Sequence, residues 1–200
     1  NCLPTDIDIT YLQLAHEKGM IPAYKLENAE DLSFADESFD FVFCKESYHH
    51  FPRPYIALYE MLRCAKTVVI FSEPRDFLPM PIPKHLIQIL KNMVKRIIGK
   101  AVVHPDTGNY ETVGNYIFTI SRREFEKTAM ALNLPMVAFK EFHDVYYEGV
   151  EQEKAADNGP LFRRIKREVS KVEFLSKLGL SGTNRITAII FKKMPAPELM

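Results

Sequence analysis

Two short runs constrain the fold of this chain more than any other feature. Phe39 to Cys44 (Phe-Asp-Phe-Val-Phe-Cys) and Thr67 to Ser72 (Thr-Val-Val-Ile-Phe-Ser) are apolar at nearly every position, as strands covered on both faces should be. Between them Pro54, a residue suited to the first helical position, opens a stretch whose apolar residues Ile56, Leu58, Tyr59 and Leu62 lead to Arg63, the pattern of an amphipathic helix with a basic end. Strand, helix and strand at this spacing form the unit of a parallel sheet with a right-handed crossover, so an α/β fold is expected.

The same rhythm starts earlier. Leu3 to Ile9 alternates like a short strand, Thr10 is an N-cap type ahead of a helix over Tyr11 to Lys18, and Gly19 stops it. Ala23 to Leu26 is a second strand candidate, followed by a polar loop over 28–38 with the acidic pairs Glu30-Asp31 and Asp36-Glu37. After Pro74 the character changes. Four of the thirteen prolines fall between Pro74 and Pro83, then Lys84 to Gly99 reads as an amphipathic helix and Ala101 to Gly114 as a polar loop, so 75–116 is expected to be a lid or substrate insertion. Ser121 and Glu124 make a capping box for a helix over Arg122 to Leu132, and Met136 to His143 and Arg185 to Lys193 are closing strands. A helical insertion over 145–182 separates those strands and contains an amphipathic helix from Leu161 to Leu178, closed by Gly179. Residues 1–200 are read as a single domain.

Composition excludes several classes. With 46% hydrophobic and 26% charged residues the chain is ordinary globular protein, and 26 basic against 26 acidic residues give no net charge to attract nucleic acid. Cys2, Cys44 and Cys64 are an odd number without a C-x-x-C pair, which points to a reducing compartment. Apolar runs of about five residues fall far short of the roughly 20 needed to cross a bilayer. A cytoplasmic protein is the expectation. The chain opens on Asn1 rather than Met, so a processed product or part of a longer polypeptide is expected.

Three blocks carry the chemistry. Asp8 stands where a strand ends and a helix begins, a position from which a carboxylate can accept both hydrogen bonds of a ribose diol or simply cap the helix. Asn28-Ala29-Glu30-Asp31-Leu32-Ser33-Phe34 then leads through Ser38-Phe39-Asp40 into a buried strand, which opens into Lys45-Glu46-Ser47-Tyr48-His49-His50-Phe51. In register, these blocks resemble the class I S-adenosylmethionine-dependent methyltransferases, in particular their small-molecule branch, over roughly the first 75 residues.

The resemblance implies a doubly wound, mostly parallel Rossmann-like sheet with an antiparallel closing strand and a helical lid insertion, and S-adenosyl-L-methionine as cofactor. It puts the ribose hydroxyls on Asp8 with Ile9 beside the adenine, and the adenine on Asn28 and Ala29. Asn28 departs from the family's usual Asp, although an amide carbonyl also accepts from an adenine amine. Lys45, Glu46 and Ser47 would lie beside the methionine portion and the incoming nucleophile. His50, and after it His49, are candidates for a general base, since imidazole titrates near neutral pH; for each ring a structural bond to backbone is the competing reading. No metal is expected from a His-His pair without spaced Cys, Asp or Glu partners. The family's glycine-rich turn is missing: only seven residues precede Asp8 and none of the eight glycines forms a G-x-G cluster. Loss of that central first strand would split the sheet, so an N-terminally incomplete domain is expected.

On the substrate side, Tyr48, Tyr110 and Tyr116 are candidates in polar-aromatic surroundings suited to a polar small molecule. The helices over 84–99 and 161–178 each set an apolar stripe against Lys and Arg, which either packs on the domain or touches an anionic carrier or membrane surface. Transfer of a methyl group to oxygen or nitrogen by in-line attack needs no catalytic triad. The alternative is a non-catalytic cofactor-binding or scaffold protein on the same fold.

Overall fold

The computed structural model describes residues 2–76 and 116–197, with 90, 91, 93, 94 and 97–99 between them. Most of the expected insertion over 75–116, Tyr110 included, lies outside the described residues.

Strand β1 (Thr5–Asp6) is followed by helix α1 (Ile9–Glu17), and β2 (Lys25–Leu26) pairs with β1 in parallel. Both strands are shorter than their apolar patterns suggest. The helix is capped by Asp8 rather than Thr10: the Asp8 carboxylate accepts the Thr10 N–H at 2.8 Å, leaving Thr10 inside the first turn. A carboxylate two residues before an N–H reaches it with less strain than a hydroxyl already in helical geometry.

Strand β3 (Phe39–Lys45), helix α2 (Pro54–Cys64) and strand β4 (Ala65–Pro74) form the expected parallel unit, Phe41 opposite Val68 and Cys44 opposite Phe71. Helix α3 (Arg122–Ala131), strand β5 (Met136–Phe142), helix α4 (Pro160–Lys177) and strand β6 (Arg185–Phe191) complete the order. Strand β6 runs antiparallel between β4 and β5, giving the order β3-β4-β6-β5. Three strands therefore run one way and the last closes against them, as expected. Ser121 and Glu124 form the capping box of α3, each side chain accepting from the other's backbone N–H. Gly179 takes the left-handed conformation after α4, at φ +69°.

The core lies between this sheet and helices α2 and α3. Val69, Phe71, Ile186, Ala188 and Ile190 project from alternating strand positions against Leu58, Leu62 and Phe125. One expectation fails here. Strand β3 is covered on the side of Val42 and Cys44, but Phe41 and Phe43 on its other face are 60% and 56% exposed. Among the described residues β3 has a ladder partner on one edge, and β1-β2 forms a separate two-stranded sheet.

The loop after β2 is tied down by charge. Arg63 of α2 donates to the carbonyls of Leu32 and Phe34 and to Asp36 and Glu60 at 2.7 to 2.9 Å. Buried Glu27 pairs with Lys25 at 2.6 Å and accepts the Ser33 N–H at 2.9 Å. The Lys25 contact first, then the Ser33 hydroxyl and N–H, hold its carboxyl at about 2 instead of the ordinary 4.5. A native value below the unfolded one stabilises the fold above about pH 4.5, and that contribution is lost as pH falls toward 2. Glu27→Gln should therefore lower the melting temperature at neutral pH by about 3–10 °C and flatten the acid limb of stability; an unchanged acid limb in a pH series of thermal melts would refute the assignment.

Candidate active site at the strand ends

Ligands of open parallel sheets sit beyond the carboxyl ends of the strands. Two loops that carry the candidate residues meet that condition. Asp6 pairs with Leu26 in parallel, so Asp8 and Asn28, each two residues further on, leave the same end of the β1-β2 pair. Likewise Lys45 pairs with Ser72, so the 46–50 loop and Glu73 leave the same end of β3 and β4.

The second loop is built around Glu73. The alternation that buries Val69 and Phe71 in β4 carries on to Glu73, whose side chain is completely buried. Its Oε1 accepts the N–H groups of Ser47 and Tyr48, both at 3.1 Å, and its Oε2 lies 2.6 Å from His49 Nδ1. The Cys44 thiol approaches Oε1 at 3.7 Å. Burial and, after it, the neighbouring Glu73 push that thiol far up, so it stays protonated. A buried carboxylate needs such donors, because unpaired it would cost several kcal/mol, roughly 3–5 by the usual effect of breaking a buried pair.

The backbone of Glu46 makes this arrangement. At φ +54° Glu46 occupies the left-handed region, unfavourable by about 1–2 kcal/mol for a residue with a side chain; its N–H still donates to the Ser72 carbonyl at 3.1 Å. The turn aims the next two N–H groups at Glu73. The Glu46 side chain points to Arg185 of β6, at 2.7 Å, which further fixes the bend. The short 3₁₀ turn Tyr48–His50 follows.

This geometry separates the two histidines. His49 is buried and bound to Glu73, and the Phe118 N–H donates to its carbonyl at 2.9 Å. His50 is exposed, its ring centroid 3.9 Å from that of His49 with the planes at 42°. Tyr48, a substrate candidate by sequence, is 2% exposed and lies in the core against Phe51, Phe71 and Phe125. Burial drives its hydroxyl far up, so it is neither ionised nor turned toward a cleft. Tyr116 is 37% exposed and stands edge-on to Phe118 at 4.6 Å, the residue whose N–H donates to the His49 carbonyl. Lys45 is exposed at the end of β3.

At the other loop Asp8 is exposed and its carboxyl is held below the usual range by the Thr10 N–H first and the Thr10 side chain second. It is thus an ionised, acceptor-only group, the chemistry a ribose diol requires. Ile9 is 39% exposed beside it. Asn28 is exposed, with its Oδ1 accepting the Glu30 N–H at 3.0 Å, so one lone pair of the expected adenine acceptor is used within its own turn. Ala29 packs against the core. The residues present fit the nucleoside end of S-adenosylmethionine. Glu73 was not found from the sequence, although the two-residue period from Val69 through Phe71 marks it as inward-facing.

Residues 1–71 match the family model of the methyltransferase domain. No curated protein matches the chain. Among solved structures, the YcgJ protein of Bacillus subtilis is similar at a TM-score of 0.52 and 16% identity, over 98% of this chain and 83% of that one. A chain from the complex between the Haloferax volcanii Trm112 methyltransferase activator and a methyltransferase gives 0.53 at 12% identity, over 97% of this chain and 72% of its own. Phosphoethanolamine N-methyltransferase 2 of Haemonchus contortus, solved with S-adenosyl-L-methionine, gives 0.52 at 12% identity, over 96% of this chain and 43% of its own. At such identities the structures speak for the fold, and the family-model match covers the first 71 of the 200 residues. Two loops at the carboxyl ends of a β3-β4-β6-β5 sheet closed by an antiparallel strand accord with that fold, and over residues 1–71 the chain is similar to the methyltransferase domain.

Proposed function

We propose that the protein moves the methyl group of S-adenosylmethionine to an oxygen or nitrogen of a small polar molecule. The observation that carries this reading is the Glu73-centred loop, which buries His49 on a carboxylate and leaves His50 exposed with its ring tilted against that of His49. The cofactor supplies an electrophilic methyl on a positively charged sulfur. The protein's own work is then to hold the acceptor in line and take its proton. In this reading Asp8 accepts the ribose hydroxyls, Ile9, Asn28 and Ala29 border the adenine, and Lys45 borders the methionine end. His50 takes the proton of the acceptor, with His49 and Glu73 as positioning residues beneath it. Glu46 serves the same loop through its bend and its bond to Arg185, and Tyr116 shapes the acceptor side. The cytoplasm is the compartment proposed.

The experiment is release of S-adenosylhomocysteine from a panel of hydroxyl and amine compounds. Turnover of at least one supports the reading; cofactor binding without turnover of any would favour the scaffold alternative. Asp8→Ser isolates the ribose role, because serine caps a helix as well as aspartate does but removes the charged acceptor. Cofactor affinity measured by calorimetry should fall by about 10- to 100-fold with the melting temperature unchanged. Equal affinity would leave Asp8 as a cap alone.

A further inference from the structure

Helices α2 and α3 both pack on the core, through Leu58 and Leu62 on one and Phe125 on the other, and between them they border a cavity of about 380 Å³. Tyr55 and Tyr59 line it from α2, and Arg123 and Lys127 from α3, with Glu124 and Thr128. The two tyrosines are four residues apart, as are the two cations, so each pair shares a helix face. A cavity of this size falls in the range of small-molecule sites. None of the residues placed at the methyl-transfer site lines it.

The cations on α3 work against the helix that carries them. Arg123 stands in the first turn, where the helix dipole disfavours positive charge, and Lys127 repeats that charge one turn on, where like charges repel. Their neighbour Arg122 is used within the fold, its guanidinium 4.9 Å from the centre of the Phe139 ring and 3.8 Å from Glu141. Among the described residues Arg123 meets Glu126 alone, at 3.5 Å in an exposed pair of little worth, and Lys127 has no ion pair. A local rule broken without gain to the fold marks a functional position.

The carboxylate in the lining is already engaged. Glu124 Oε1 accepts the Tyr55 hydroxyl at 2.6 Å, and its Oε2 accepts the Ser121 N–H at 3.2 Å in the capping box. Burial, and after it the bond to Glu124, push the Tyr55 hydroxyl up to about 12, so it adds no negative charge. What the cavity offers is two aromatic rings from one helix, 46% and 49% exposed, and two cations from the other. Rings of this kind take a planar apolar body. Guanidinium and ammonium groups both bond a carboxylate, whereas a cationic ligand would meet its own charge.

We propose that the cavity between α2 and α3 is a second ligand site, which binds a small aromatic carboxylate through the rings of Tyr55 and Tyr59 and the charges of Arg123 and Lys127. The inference stands apart from methyl transfer, and either can fail alone. The test is titration of the full chain with naphthoate, followed in amide nitrogen–proton correlation spectra. The signals of Tyr55, Tyr59, Arg123 and Lys127 should shift with a Kd on the order of 1 mM, and saturating S-adenosylmethionine should leave that Kd unchanged. Naphthamide, the same ring without the charge, should bind about 10-fold more weakly or worse. Acetate, the same anion without the ring, should not shift these signals. Arg123→Gln with Lys127→Gln should bring naphthoate down to the affinity of naphthamide. Because the two side chains are exposed and repel each other, the melting temperature of that variant should not fall, which separates a lost site from lost folding. The proposal is overturned by any of four results: no shift with naphthoate at about ten times that Kd, equal binding of naphthamide or acetate, displacement by S-adenosylmethionine, or full affinity in the double variant.

Discussion

Replacing His50 by asparagine should lower the turnover of methyl transfer by about 10²–10⁴, the usual worth of a positioned general base, and leave both cofactor affinity and melting temperature unchanged. The expectation of unchanged stability comes from exposure: His50 stands outside the core, whereas His49 and Glu73 beneath it are buried. An asparagine keeps a polar side chain of similar reach but cannot take a proton. The measurement is steady-state release of S-adenosylhomocysteine with the best acceptor of the panel, beside a calorimetric titration of the cofactor. A variant that turns over normally would end the proton-acceptor role. A variant that loses stability instead would show that His50 is a structural cap of the turn.

Glu73→Ala should be the most destabilising single change in this region. It removes the acceptor of two backbone N–H groups and of the His49 ring at once, all in a site where water cannot replace it. Breaking a buried hydrogen-bonded pair costs about 3–5 kcal/mol, which in a domain of this size lowers the melting temperature by about 6–20 °C. Glu73→Gln separates the charge from the shape. It retains one acceptor oxygen, so stability should fall less, but its amide group meets donors where the carboxylate met acceptable partners, and the 46–50 loop should lose its order. His49→Asn should then reduce turnover through His50 while leaving the maximal binding of cofactor in place. If Glu73→Ala unfolds at the same temperature as the parent protein, the loop is held by something other than this carboxylate.

Much of the frame was legible locally. The runs at Phe39 and Thr67 became β3 and β4, Pro54 opened α2, and Ser121 with Glu124 capped α3. Each of these rests on interactions within a few residues, where periodicity and capping chemistry operate. The apolar alternation over Leu3–Ile9 and Ala23–Leu26 runs beyond β1 and β2, because alternation alone does not say where a ladder partner stops. The cap of α1 passed from Thr10 to Asp8, and this joins the ribose candidate and the helix cap in one carboxylate.

The candidate site divides along the same line. By itself the sequence determined the blocks at Asp8, Asn28 and Lys45–His50, since their residue types and spacing are properties of a linear chain. Only the tertiary structure decided which of those groups point where. His49 and His50 are neighbours of identical chemistry, and the buried one is bound to Glu73, 24 residues further along in β4, and to the Phe118 N–H. Tyr48 turned inward for the same reason, its N–H held by Glu73 and its ring by Phe71 and Phe125. Strand pairing brings such distant residues together, and burial then fixes each side chain, because a polar group taken from water must find its partner in whatever the sheet places beside it.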